Sequence, residues 1–268
     1  MDLELKDKVY IVSGGAKGIG AGIMQRLAAE GAIALAVGRS PEAGEALVDR
    51  ICKTGGKAEF YALEMTDEAA VQATVQRIID EYGSIDGVIN NAGRNDAVSL
   101  RQSVDAFESS LRNNLVQIFS LTHHCLNALI ASRGVVINIG SKCSLTGQGG
   151  TSGYAASKGG MNALTREWAL DLIQYGIRVN CVIPAEVMTP LYEAWLGKAP
   201  DPEEARRQLN ATIPFGQRTT TIEEIADMVA FIASPRSSHT TGQILHVDGG
   251  YVHLDRACTM DTSHLESS

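Results

Sequence analysis

Tyr154 and Lys158 stand four residues apart in a segment that reads as helix, so both side chains fall on one face, a turn apart. A phenol ionises near pH ~10 and is a poor base at neutral pH. A neighbouring ammonium favours the phenolate, and bringing it to about 7 takes roughly 4 kcal/mol of differential stabilisation. Such a pair can take a proton from an alcohol. Taken alone, Tyr-x-x-x-Lys also occurs on plain surface helices. Its weight comes from three further elements: Ser141 after an apolar run, Asn114 inside the helical stretch Leu111–Ser120, and the turn Asn90-Asn91-Ala92-Gly93.

A second constellation opens the chain. The apolar run Lys8–Ser13 leads into Ser13-Gly14-Gly15-Ala16-Lys17-Gly18-Ile19-Gly20 and then an amphipathic helix. Gly14 permits a tight turn, Gly18 lets backbone approach a pyrophosphate, and Gly20 lets the helix pack closely. The free N–H groups and positive dipole end of that helix suit phosphate oxygens. A glycine turn by itself is weak evidence, but its place after the first strand marks a dinucleotide site. An acid ending the second strand would hold the ribose 2′-hydroxyl of NAD. Val37-Gly38-Arg39-Ser40 carries none at that point. Arg39 and Lys17 together suit a 2′-phosphate, which favours NADP over NAD, although each alone reads as a solvated surface charge.

The elements that must position these residues alternate. Strands are expected at Lys8–Ser13, Ile33–Val37, Glu59–Ala62, Gly87–Asn90, Gly134–Ile139, Arg178–Ile183 and Ile244–Val247. Amphipathic helices lie between them, including Val71–Tyr82, Val104–Ser132 and Tyr154–Tyr175. Continuous apolar strands alternating with helices predict an α/β fold: a doubly wound parallel sheet of about seven strands, covered on both faces. Ligands of such sheets bind past the carboxyl ends of the strands. One domain over residues 1–254 is expected, followed by a polar tail over 255–268. The formal charge of -8 argues against a nucleic-acid partner. No run of 18 apolar residues is present to span a membrane. No histidine pair has metal-ligand spacing. The odd number of cysteines and the lack of a signal-like start point to free thiols and a cytoplasmic location.

Taken together, these motifs resemble the short-chain dehydrogenase/reductase family from Lys8 to Gly250. The resemblance implies roles by position. Tyr154 is the general acid/base, Ser141 holds the substrate oxygen, and Lys158 lowers the tyrosine pKa and holds the nicotinamide ribose. Asn114 positions a water that connects Lys158 to bulk, and Asn90 lies beside the cofactor. Asn180 to Thr189 resembles the segment that binds the nicotinamide amide, after Pro184, through the Val187 backbone and the Thr189 hydroxyl. Two positions depart from the family: Ala185 replaces the usual Gly after Pro, and Glu64-Met65 replaces the Asp-Val that meets adenine. Members commonly form tetramers.

Substrate choice is expected from the loop Lys142–Gly153, the turn after Pro184, and a lid over Thr189–Thr212. In that lid Leu191, Tyr192, Trp195 and Leu196 share one face. Gln148, Glu186, Asn95 and Asp96 make the expected pocket polar, which suits a sugar; Trp195 would cover it. Thr151-Ser152-Gly153-Tyr154, Leu164 to Ala169, Ile183 to Tyr192, Ser238 to Gly242 and Val247 to Tyr251 resemble bacterial L-fucose dehydrogenases. That implies oxidation of the anomeric carbon to a lactone. Two alternatives stay open: a reductase or dehydrogenase for another small alcohol, ketone or hydroxysteroid, and a catalytically idle cofactor-binding protein.

Overall fold

The computed structural model describes residues 1–254, and the tail expected over 255–268 lies outside them. Seven strands form one sheet: β1 (Val9–Ser13), β2 (Ile33–Gly38), β3 (Lys57–Ala62), β4 (Gly87–Asn90), β5 (Val135–Ile139), β6 (Arg178–Pro184) and β7 (Ile244–Val247). All pairs are parallel, in the order β3-β2-β1-β4-β5-β6-β7. Nine α-helices accompany them among the described residues: α1 (Gly18–Ala29), α2 (Pro41–Lys53), α3 (Glu68–Tyr82), α4 (Val104–Leu111), α5 (Gln117–Ser132), α6 (Ser152–Asp171), α7 (Pro190–Leu196), α8 (Pro202–Ala211) and α9 (Ile222–Ala233).

Strand alternation explains the two layers. In β1, Tyr10 and Val12 enter one core with Ile23, Met24 and Leu27 of α1 and Val229 of α9. Val9 and Ile11 point the other way, toward Val75 and Ile78 of α3, Leu121 of α5 and Met161 of α6. Each fully buried side chain of this size contributes roughly 2 kcal/mol relative to exposure. Connections from β1 leave toward β2 on one side and return at β4 on the other, so the strand order reverses between β1 and β4. A crevice opens there, past the carboxyl ends of the strands.

All seven expected strands form, with ends shifted by a residue or two. Helix α3 begins at Glu68, earlier than the apolar pattern starting at Val71, because Asp67 caps it by accepting from Ala70 N at 3.1 Å. Helix α6 starts at Ser152 and ends at Asp171, and a separate 3-10 turn spans Ile173–Tyr175 before Gly176 reverses the chain at φ 71°. The expected Val104–Ser132 helix is continuous but contains a π-helical turn at Arg112–Val116. At 29 residues it is long and apolar enough by composition to cross a membrane. Its Ile118, Leu121, Cys125 and Leu129 are instead packed in the core.

Candidate active site

A cleft of about 900 Å³ runs across the carboxyl ends of the strands, within the range of cofactor and small-molecule sites. Its floor at one end is the turn between β1 and α1. Gly14 sits at φ +65° and Gly18 at φ +55°, where only glycine is unstrained. Gly20 has a different task from the expected helix-to-strand packing. A Cβ there would overlap the Gly14 carbonyl and stand 2.6 Å from Asn91 Nδ2, so the helix closes on the turn itself.

Ser13 and Asn91 hold this turn against the end of β4. Ser13 Oγ accepts from the backbone N–H groups of Asn91 and Ala92, each at 3.0 Å. The Asn91 amide donates to the carbonyls of Ser13 and Gly14 at 2.9 and 3.2 Å. Asn90 departs from expectation: it is not beside the cleft but fully buried, donating to Thr122 Oγ1 at 3.0 Å and Asn138 Oδ1 at 2.9 Å. Alternation along β4 turns it inward, toward α5 and β5. Of the residues expected to hold the cofactor, Lys17, Ile19, Arg39, Glu64, Met65, Asn91, Ala92, Gly93, Pro184, Val187 and Thr189 all line the cleft. Lys17 makes no ion pair among the described residues, whereas Arg39 reaches Glu64 Oε2 at 3.2 Å. Glu64 thus faces a cation rather than standing open for an adenine amine. Ala185 adopts no positive φ, so the missing glycine imposes no backbone strain.

At the other end lie Tyr154, Ser141 and Lys158. Ser141 follows β5, and its Oγ accepts from Cys143 N at 3.3 Å, starting a 3-10 turn. Lys158 is 3% exposed, and its ammonium donates to the Ile139 carbonyl at 2.7 Å. Burial holds its pKa down to about 8. Nζ lies 5.7 Å from the Tyr154 ring centroid. Burial pushes the Tyr154 phenol up to about 12, opposed by the Ser141 hydroxyl. The positive charge of an oxidised nicotinamide would favour the phenolate.

Asn114 sits in the π turn, a wide turn that frequently marks functional sites. Its Oδ1 accepts from Arg94 N at 2.7 Å and its amide donates to Ser110 O at 3.0 Å. A Cβ at Gly93 would stand 2.9 Å from Asn114 Oδ1 and 3.8 Å from Lys158 Nζ. Both polar groups therefore border the room that Gly93 leaves clear.

The expected substrate residues fare unevenly. Gln148 is exposed, with its Oε1 taken by the Cys143 thiol at 2.8 Å, and it does not line the cleft. Trp195 is 62% exposed and outside the lining. It packs edge-on against Tyr192, with ring centroids 5.4 Å apart, while Leu196 is buried. Of the apolar face expected for the lid, Trp195 is exposed, Tyr192 lines the cleft and Leu196 is buried. Glu186 is 8% exposed and absent from the lining, its two oxygens bound by Lys142 and Tyr192. Asp96 accepts from Ser110 Oγ and holds α4 rather than a ligand. Sequence reasoning missed Arg94, Asn113 and Gln117 as cleft residues, whereas Tyr192, expected in the lid, lines the cleft. Arg94 was within reach, since it directly follows the Asn90–Gly93 turn; Asn113 and Gln117 depend on the π turn, which has no sequence signature.

The glycine cradle, the helix N-terminus and the buried Lys158 fit a nicotinamide dinucleotide. Residues 14–252 match the family model described as Enoyl-(Acyl carrier protein) reductase. The chain is 35% identical over 252 residues to 3-oxoacyl-(acyl-carrier-protein) reductase of Thermotoga maritima, covering 93% of this chain and 100% of that protein. It is 36% identical over 245 residues to L-fucose dehydrogenase of Bos taurus, covering 91% of this chain and 88% of that one. Among solved structures, it is similar to a dehydrogenase at 43% identity and TM-score 0.92, over 97% of this chain and 100% of the other. A second, ligand-free aldohexose dehydrogenase of Thermoplasma acidophilum, is 30% identical with TM-score 0.85, over 95% and 98% of the two chains.

Proposed function

The chain belongs to the short-chain dehydrogenase/reductase family, whose members use NAD or NADP, and we propose that it oxidises a sugar, L-fucose or a related aldose, at the anomeric carbon with NADP. The observation that carries the sugar reading is the set of polar residues in the cleft that also holds Tyr154 and Ser141. Arg94, Asn95, Asn113, Gln117 and the Tyr192 phenol line the cleft where a steroid or acyl site would present apolar groups. The names of the bovine and Thermoplasma relatives support the same class.

Gly14, Gly18 and Gly20 would receive the pyrophosphate, Lys17 and Arg39 the 2′-phosphate, Lys158 the nicotinamide ribose, and Pro184, Val187 and Thr189 the amide. When bound, the nicotinamide supplies the hydride acceptor. Ser141 donates to the substrate oxygen and fixes it near Tyr154. Tyr154 takes the hydroxyl proton as the C–H pair leaves and the C–O bond becomes the carbonyl of the lactone. The proton leaves by way of Lys158 and a water that Asn114 would position, both groups bordering the space that Gly93 leaves clear. An anomeric hydroxyl is more acidic than an ordinary alcohol, which suits a phenol held this high.

A second reading, reduction of a 3-oxoacyl thioester, is favoured by the Thermotoga relative. Initial rates with NADP and NAD for L-fucose, D-arabinose, L-galactose and a hydroxysteroid, and with NADPH for a 3-oxoacyl thioester, separate the readings. Fast sugar oxidation with NADP is expected, and Tyr154→Phe should lose it by 10²-fold or more, on the order of a general acid/base contribution. Turnover of the thioester or steroid without any sugar oxidation would sink the sugar assignment.

A further inference from the structure

Tyr192 lines the same cleft as Ser141 and Tyr154, from the first turns of α7. Its hydroxyl donates to Glu186 Oε2 at 2.7 Å. The other Glu186 oxygen accepts from the Lys142 ammonium, which also lies over the Tyr251 ring, 4.2 Å from its centroid. Lys142 and Glu186 are each only 8% exposed. Removing either would strand the other's charge away from water, so the pair is fixed in place. Burial first, and then the Glu186 carboxylate, pushes the Tyr192 phenol up, so it keeps its proton throughout the working pH range.

A phenolic hydroxyl has one proton to donate and lone pairs that accept. The Tyr192 proton is committed to Glu186, which leaves the phenolic oxygen with acceptor capacity only. We propose that Tyr192 determines specificity by accepting a hydrogen bond from a non-anomeric hydroxyl of a polyhydroxylated substrate, and that Lys142 and Glu186 are positioning residues that fix its direction. This rests on the sugar reading above. An acyl chain has no proton to offer at this point, and a site whose polar group is left unpaired rejects such a ligand. Glu186 therefore acts on the substrate through Tyr192 rather than by touching it.

The test compares wild type, Tyr192→Phe and Glu186→Gln with L-fucose and with analogues that each lack one non-anomeric hydroxyl. NADPH affinity, read by fluorescence titration, reports that each variant retains its fold. Tyr192→Phe is expected to raise KM for L-fucose about tenfold, the loss of one hydrogen bond, with kcat within about twofold. One deoxy analogue should raise the wild-type KM by a similar factor and show no further rise with Tyr192→Phe, closing a chemical double-mutant cycle. Glu186→Gln should raise KM for L-fucose and not for that analogue. If Tyr192→Phe moves KM equally for every analogue, or not at all, the role assigned to Tyr192 is overturned while sugar oxidation stands. If wild type oxidises no sugar, the sugar reading falls and takes this inference with it.

Discussion

Lys158 shows how one residue's energetics divide between stability and chemistry. Burial lowers its pKa from 10.5 to about 8, so the charged form is disfavoured in the folded chain. At pH 7 that amounts to about 3 kcal/mol at roughly 1.4 kcal/mol per unit, as an order of magnitude. The unfolded chain binds the extra proton between about pH 8 and 10.5, so this group's contribution to stability rises with pH across that window. Lys158→Met should accordingly abolish turnover yet raise the melting temperature at pH 7, with a smaller gain at pH 10. Calorimetry without cofactor checks this, and a lower melting temperature at pH 7 would contradict it. Tyr154 tells the complementary story: its spacing to Lys158 is legible in the sequence, but its pKa is not, because the burial that raises it is set by tertiary packing.

At the scale of elements, the glycine turn and α1 form one device with the end of β4. Gly14, Gly18 and Gly20 were all identifiable from their spacing after the first strand. The reason for Gly20 was not, since the atoms it must clear belong to the Gly14 carbonyl and to the Asn91 side chain far along the chain. Gly20→Ala is expected to push α1 off the turn and weaken NADPH binding at least tenfold, measured by fluorescence titration. Binding at wild-type affinity would refute the close-approach argument. Helix α7 makes the same point in reverse. Spacing assigns its apolar residues to one face, but Trp195 lies outside the cleft lining and packs on Tyr192, while Leu196 is buried.

Considered whole, the molecule leaves several large apolar side chains uncovered on and near α5 and α6. Phe119 of α5, Leu170 of α6 and Ile173 just beyond it are 52%, 72% and 59% exposed, and Phe119 packs 6.3 Å from Trp168. We propose that these exposed side chains meet further copies of the chain, in line with the tetramers common in the family. Light scattering on the purified protein should give about four times the 28.5 kDa chain mass. A monomer at micromolar concentration would remove the proposal.

What the sequence by itself determined was periodic or local: the seven strands, the parallel doubly wound sheet, the nucleotide turn, and the Tyr154–Lys158 pair. Each follows from spacing along the chain, where alternation and i,i+4 geometry act within a few residues. The tertiary structure decided which side chains share a space. It moved Asn90 from the cofactor to the interior, placed Asn114 by a π turn, and closed Glu186 between Lys142 and Tyr192. Those outcomes depend on contacts between residues distant in sequence and on desolvation. Both are set only when the sheet and its helices pack together.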